Sequence, residues 1–319
     1  MARISRRRFT QAATAGSLGY LFTGPAFSVE KVAGANEKLR FAGVGIGGKG
    51  SSDIDQAANL GEVVAICDID QKNLDSKIKK WKDAKVFHDM RKMYADPIMK
   101  NVDAVTVSTP DHSHALAAVL AMRMGKHVYC QKPLTHTVFE ARLLREVAKQ
   151  NKVCTQMGNQ GTAENGLRRA AEAIQDGVIG DVSEVHVWTN RPIWPQAPKI
   201  MKRPKEAKVP EHVHWDEFLA CAPDRPYAVY DDGKPAYHNF AWRGWWDFGT
   251  GAIGDMACHT ANMAFMGCKL TTPWKISAEA GDVNPETCPS SAHVTLEFGK
   301  RGSMPPMTLH WYEGQKDGK

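Results

Sequence analysis

The sequence predicts an α/β fold. A doubly wound parallel sheet, covered by helices on both faces, is followed by an α+β unit built on an open sheet. Three observations predict it. Short apolar runs alternate with helical patterns from about Leu39 to Gly158, a glycine-rich turn follows the first of those runs, and the alternation stops after Gly158. Alternating strand and helix periods imply parallel strands joined by crossover helices.

The strand-like runs are Leu39–Val44, Val63–Cys67, Asp103–Ser108, His127–Cys130 and Val153–Met157. Helical patterns fill His114–Met124 and Val138–Gln150, and each stops at a turn signal, Gly125-Lys126 and Asn151-Lys152. Beyond Gly158 come a helical stretch, Gly166–Asp176, and a strand candidate, Ser183–Thr189. The Pro-rich, basic stretch Arg191–Pro210 reads as a surface loop or lid. Aromatics crowd Phe240–Phe248, and further strands are expected at Ala292–Phe298 and Met307–Tyr312. A sheet that ends just before Lys319 lacks a closing element, so the chain is expected to be an incomplete piece of a longer protein.

At 319 residues there is room for about two domains. The expected division is residues 36–158 and residues 159–319, after a distinct segment of residues 1–35. That segment opens Ser5-Arg6-Arg7-Arg8-Phe9-Thr10 and continues into a small, weakly apolar run. Paired arginines before a phenylalanine point to export of the folded protein by the twin-arginine (Tat) machinery, and so to a periplasmic location. Cleavage is expected near Ala26 and Ser28 or near Ala33 and Ala35.

The segment carries five basic residues against one acidic, a net +4 of the chain's +6, which leaves +2 for the rest. The basic balance is therefore no argument for nucleic acid binding. No run reaches the about 18 apolar residues that span a bilayer. The cysteine count is odd, seven, with no C-x-x-C pair, so a disulfide framework is not expected. Cys67, Cys130 and Cys154 lie in or beside apolar runs and read as small buried hydrophobes.

Four motifs carry chemistry. The first, Gly45-Ile46-Gly47-Gly48-Lys49-Gly50, follows a strand and opens a helix. Its three spaced glycines suit a tight turn, close approach of a pyrophosphate, and close packing of helix on strand. A strand ending at Asp68 follows about 20 residues on, where a carboxylate bonds ribose hydroxyls and repels a 2′-phosphate. The pair predicts a nicotinamide dinucleotide, NAD rather than NADP, although Lys72 stands nearby. The second motif, Ser108-Thr109-Pro110-Asp111-His112-Ser113-His114, lies at a strand's carboxyl end, the ligand-facing edge of such sheets. Its Thr109, His112 and His114 are expected along the cofactor, with Ser113 a candidate helix cap.

The third motif is the strand end Val128-Tyr129-Cys130-Gln131-Lys132-Pro133, which presents Lys132 at that same edge. Pro133 fixes the backbone there, and a cis peptide would aim the lysine. In the fourth, Gly249 to His259, glycines give way to a helix that puts Asp255 and His259 four residues apart on one face. A carboxylate orienting an imidazole is a common general base. A His212-x-His214-x-Asp216 cluster has no further ligands at recognisable spacing and reads as a polar segment, with no metal expected.

With these motifs in order, the chain resembles the Gfo/Idh/MocA oxidoreductases, the relatives of glucose–fructose oxidoreductase and inositol dehydrogenase, and within them the Tat-exported branch. The resemblance spans about Glu37 to the end. It implies an N-terminal Rossmann domain and a C-terminal α+β domain. The second domain's large, open, mainly antiparallel sheet would bear the substrate pocket and mediate homo-oligomers. It places the family's E-K-P lysine on Lys132, its D-x-x-x-H pair on Asp255 and His259, and its fingerprint on Gly45, Gly47 and Gly50, with Asp68. Thr109, His112, His114, Gln131 and Asn159 would sit along a tightly bound NAD. Two positions depart from the pattern: Gln131 stands where relatives carry glutamate, and Asn262 where some carry an acid.

The expected activity is hydride transfer between NAD and a secondary hydroxyl or keto carbon of a sugar, sugar derivative or cyclitol. His259 is the expected base, oriented by Asp255, and Lys132 polarises the oxygen. Arg243 and the surrounding Trp242, Trp245 and Trp246 are candidates to bind the polyol by hydrogen bonds and stacking, with Trp242 and Arg243 foremost and at least one of the three tryptophans expected to be core. Two other readings stay open: a glycoside hydrolase that oxidises its substrate only transiently with a retained NAD, and a non-catalytic cofactor-binding protein.

Overall fold

The computed structural model describes residues 38–314. The arginine-rich segment and its cleavage sites lie outside the described residues. Six strands build the first sheet: β1 (Leu39–Val44), β2 (Gly61–Cys67), β3 (Lys85–Phe87), β4 (Ala104–Val107), β5 (His127–Gln131) and β6 (Thr155–Gly158). All pair in parallel, in the order β3-β2-β1-β4-β5-β6. The doubly wound Rossmann arrangement follows from a sequence whose strands bury both faces. Along β1, Phe41 packs with Ile54 and Leu74 on one side, while Ala42 and Val44 pack with Met93, Met99 and Met122 on the other.

The helices that cover these faces are α1 (Gly48–Ala58), α2 (Gln71–Ile78), α3 (Met90–Ala95), α4 (Asp111–Arg123) and α5 (Val138–Asn151). Three elements escape the sequence periodicity: β3, only three residues long, α2 and the six-residue α3. The start of α5 is locally coded. Thr137 accepts from the Glu140 N–H while Glu140 accepts from the Thr137 N–H, a complete capping box. Its end at Lys152 adopts the left-handed region, φ 53°, which stops the helix.

Beyond Gly158 run α6 (Asn165–Gln175), β7 (Glu184–Trp188), β8 (Lys205–Glu206), α7 (Trp215–Leu219), β9 (Ala228–Val229), α8 (Gly251–Thr260), α9 (Asn262–Gly267), β10 (Lys275–Gly281), β11 (Ser291–Phe298) and β12 (Met307–Gly314). The second sheet orders β10-β11-β12-β7, with two antiparallel pairings and one parallel. One of its faces packs on the helices through Leu309, Trp311, Ala264 and Phe265. The other carries stacked His186, His293, His310 and Tyr312. The described residues from Leu39 to Gly314 belong to one compact unit.

Two expectations need correction. The 191–210 stretch lies mostly at the surface, as a loop should, but it is pinned rather than a free lid: Trp194, Gln196 and Ala197 are buried, Gln196 donates to Pro289 O at 2.6 Å, and the Ala197 N–H donates to Thr287 Oγ1 at 3.2 Å. A Pro-rich segment without periodicity can still pack when its side chains find carbonyl partners. Cys154 is exposed rather than buried, because it precedes β6 at the sheet's edge.

The Thr137→Ala substitution removes half of the capping box and should lower stability by about 1 kcal/mol. A urea titration should show an earlier midpoint with an unchanged slope.

Candidate active site

A cavity of about 520 Å³ opens at the carboxyl ends of β1, β2, β4 and β5, where β1 and β4 are neighbours and the chain's crossovers change direction. That switch point is where open α/β sheets bind ligands. One wall is the glycine turn with Asp68, Thr109, Asp111, Gln131 and Lys132; the other holds Phe240, Trp242, Arg243 and Asp255.

The glycine turn is shaped for a dinucleotide. Gly45 has φ +73°, and a Cβ there would lie 2.7 Å from Ser108 O. A Cβ on Gly50 would lie 1.9 Å from Gly45 O, so the helix abuts the turn backbone directly. Over the cavity Gly48 has nothing within 4 Å of its would-be Cβ. Bare backbone at the start of α1 offers free N–H groups to a pyrophosphate. Asp68 is buried and its carboxylate accepts from Ile46 N at 2.8 Å, Gly47 N at 3.1 Å, Asp70 N at 2.9 Å and Asn73 Nδ2 at 3.1 Å. It therefore braces the turn from the end of β2. Burial pushes its carboxyl up, against the pull of those donors.

At the other end, Lys132 Nζ donates to Asp255 Oδ1 at 2.8 Å and to Asp255 O at 2.7 Å. The Lys132–Pro133 peptide is cis. Arg243 Nε donates to the same Oδ1 at 3.3 Å, and its guanidinium lies 4.6 Å from the Phe240 ring and 4.3 Å from that of Trp242. Trp242 and Arg243 thus stand in the cavity wall, whereas Trp245 is core and Trp246 is exposed on the far side, donating to Asn284 O.

Sequence reasoning missed a fourth charged member, Asp111. It is 3% exposed, lines the cavity, and accepts from Thr250 N at 3.2 Å and Thr250 Oγ1 at 2.7 Å, just before α8. Burial raises its carboxyl to about 6, with the Thr250 bonds, Lys132 and Arg243 pulling the other way. The available signal was an acid in the first turn of a helix at a ligand-facing strand end.

Several expected roles change. Asp255 does not orient His259: its carboxylate faces Lys132 and Arg243, and among the described residues nothing hydrogen-bonds the His259 ring. His259 lies outside the cavity lining, partly buried, and burial and Lys132 pull its pKa down while Asp255 pulls it up. The four-residue spacing is compatible with contact, but Lys132 and Arg243 are stronger partners for a carboxylate than a neutral ring.

His112 and His114 are also outside the lining. His112 places its ring nitrogens 2.8 Å from Phe218 O and 3.3 Å from Phe248 O, and burial lowers it to about 4. His114 lies 2.7 Å from Thr109 O and 2.8 Å from Pro133 O, bracing the Lys132 turn against the β4 turn. Asn159 too is set back: Nδ2 donates to Cys258 O at 2.5 Å, and Oδ1 is buried with no partner among the described residues.

Gln131 lines the cavity, but its Nε2 donates to buried Asp53 at 2.8 Å, as does Ser108 Oγ, while Lys49 pairs with Asp53 at 2.7 Å. A carboxylate at position 131 would meet that of Asp53 with no proton between them, so the amide is what this neighbour requires. His212 donates toward Asp70 at 2.9 Å and His214 stacks on His88 at 3.7 Å. Asp216 faces the cavity, and no metal-holding group of three occurs among the described residues.

Comparison with known proteins agrees with this layout. A family model described as oxidoreductase family, NAD-binding Rossmann fold, matches residues 39–159, and its companion, the oxidoreductase family C-terminal alpha/beta domain, matches residues 170–303. Inositol 2-dehydrogenase of Salmonella typhimurium is 32% identical over 148 residues, 45% of this chain and 43% of the enzyme. The 2,7-anhydro-N-acetylneuraminate hydratase of Escherichia coli is 30% identical over 122 residues, 36% of this chain and 32% of that protein. The chain therefore matches less than half the length of these curated relatives. The WlbA dehydrogenase of Bordetella pertussis, solved with NADH and UDP-GlcNAcA, shares the fold at a TM-score of 0.60 and 19% identity, covering 86% of this chain and 70% of that one.

The raised Asp111 carboxyl has a definite sign. The folded state holds this proton up to about 6, whereas the unfolded chain releases it near the ordinary 3.8. Between those values the folded state binds more protons, so stability falls as pH rises, and the loss is complete above about 6. Asp111→Asn, still able to accept from Thr250, should remove that loss. Chemical denaturation at pH 4 and pH 7 should show the variant gaining on the parent at the higher pH.

Proposed function

Because the chain belongs to the Gfo/Idh/MocA oxidoreductase family, we propose that it is an NAD-dependent dehydrogenase or reductase of a sugar, sugar derivative or cyclitol. The observation that carries this reading is one cavity with the glycine turn at one end and the Lys132–Asp255–Arg243 group at the other. Bound NAD supplies the hydride acceptor or donor. The start of α1 from Gly48 on would offer its backbone N–H groups to the pyrophosphate, the bare turn at Gly45 and Gly47 would let it approach, and Asp68 would stand beside the ribose hydroxyls.

Lys132 holds the substrate oxygen. Its ammonium would stabilise the alkoxide charge that develops as the hydroxyl proton leaves, while Asp255 keeps Nζ in place and balances its charge. His259, on the same helix as Asp255 and close enough to feel it and Lys132, is the group that would accept that proton. Arg243, held between Phe240 and Trp242, offers a fork of donors to ring hydroxyls, and the aromatic faces stack on the apolar side of a sugar. The inositol 2-dehydrogenase relative supports a cyclitol or sugar as the substrate class.

A second reading has one observation behind it. A relative is named as a hydratase, a reaction without net redox change, and a cofactor that oxidises its substrate transiently and is recycled would give such an outcome, the route also open to a glycosidase. The Ser5–Phe9 motif supports Tat export, and a retained NAD suits a compartment without a free pool of it. Self-association through the open face of the second sheet completes the proposal.

Full-length protein purified in the folded state should carry NAD(H) or bind it. Net absorbance change at the nicotinamide band with a polyol supports the first reading; product formation without net change supports the second. Lys132→Ala should lower turnover by about 10²–10⁴ while NADH binding persists. Undiminished turnover in that variant would remove Lys132 from the chemistry.

A further inference from the structure

The ribose end of the cavity carries an unusual charge arrangement. Phe87 pairs with Cys67 across β2 and β3, and the Asp68 N–H donates to Phe87 O at 3.1 Å, so the chain after Phe87 runs directly beside Asp68. There Asp89 and Arg91 face the cavity. The Arg91 side chain, 67% exposed, is held as a two-pronged fork: Nε donates to Asp89 Oδ1 at 2.9 Å and Nη2 to Asp89 Oδ2 at 3.0 Å. Asp89 is itself fixed, because Oδ1 also accepts the Arg91 N–H at 2.8 Å as the cap of α3.

A guanidinium fork matches a carboxylate or a phosphate, but one fork cannot grip both at once. Of the other cations of that wall, Lys49 is taken by Asp53 and Lys132 by Asp255. Asp216 and Glu217 of α7 face the same end, and Glu217 adds its field to Arg91. A 2′-phosphate would bring up to about two negative charges among Asp68, Asp89, Asp216 and Glu217 while the nearest guanidinium is occupied. A 2′-hydroxyl brings none.

We propose that the Asp89–Arg91 clamp is a cofactor-selectivity device: by holding the Arg91 fork it denies a grip to the 2′-phosphate of NADP and makes the cavity selective for NAD. This rests on the dinucleotide reading of the cavity, and it assigns discrimination to residues beyond the Asp68 carboxylate. Freed from its partner, Arg91 is a phosphate ligand at the right rim.

The test uses the full chain with NADH and NADPH titrated by fluorescence at one fixed salt concentration. Asparagine caps helices as well as aspartate, so Asp89→Asn keeps α3 and removes only the charge. The parent should favour NADH. Asp89→Asn should tighten NADPH about tenfold, the equivalent of one ordinary charge-assisted contact, and leave NADH within about twofold. Adding Arg91→Ala to Asp89→Asn should abolish the gain. An unchanged NADPH-to-NADH ratio in Asp89→Asn, or a gain that survives loss of Arg91, overturns the clamp. A parent that binds neither nucleotide overturns the dinucleotide reading itself, a different result from the other two.

Discussion

Lys132 and Asp255 meet 2.8 Å apart, their side chains 16% and 13% exposed, and they join the strand-end turn of the Rossmann sheet to a helix of the second domain. Two charges this well shielded hold one another in place, because losing either strands its partner in a poorly solvated setting. The neighbouring contacts converge on this pair. His114 steadies the Lys132 turn from behind, Asp111 and Thr250 fix the start of α8, and Arg243 shares the Asp255 oxygen. The cavity between the domains is thus set by a charge contact rather than by apolar packing alone.

Apolar packing supplies the rigid backing. Trp215, Phe218, Tyr237, Trp245 and Phe248 form one cluster beneath the cavity wall, with ring separations of 4.8 Å for Trp215–Phe218 and 4.9 Å for Tyr237–Trp245. Buried Arg225 lies over Tyr237, Trp245 and Phe248 and pairs with Asp247 and Glu286. The segment from His238 to Arg243 rests on this base. It is tied at one end to Asp70 through His238 and at the other to Asp255 through Arg243. A wall anchored at both ends can present Trp242 and Arg243 without losing order when water leaves the cavity.

The Asp53–Gln131 contact has the same logic. A buried carboxylate already bonded to Ser108 and Lys49 asks its next neighbour for a proton donor, and an amide supplies one where a second acid would not. Charge at the cofactor wall has therefore been set by contact across elements: position 131 is neutral, and Asp53, on α1, carries the anion behind it.

Much of this was legible in the chain order of residues. The glycine turn, the strand ending at Asp68 and the lysine at the close of β5 are local signals: glycine spacing reflects backbone clearance, and strand ends of a parallel sheet share one edge. The core of β1 and β4 was local in the same way. Partner choice was not. Asp255 and His259 share a helix face in sequence, yet the carboxylate turns to Lys132, which is 123 residues away. His112 and His114 stand in the cofactor-side motif, yet their rings close on carbonyls of Phe218, Phe248, Pro133 and Thr109. The Pro-rich stretch packs because Thr287 and Pro289 happen to receive it. Sequence by itself determined which backbone shapes and which chemical groups this protein would have at its ligand-facing edge. Tertiary structure decided which of those groups face one another, because a side chain's partner depends on the elements that fold against it rather than on its neighbours along the chain.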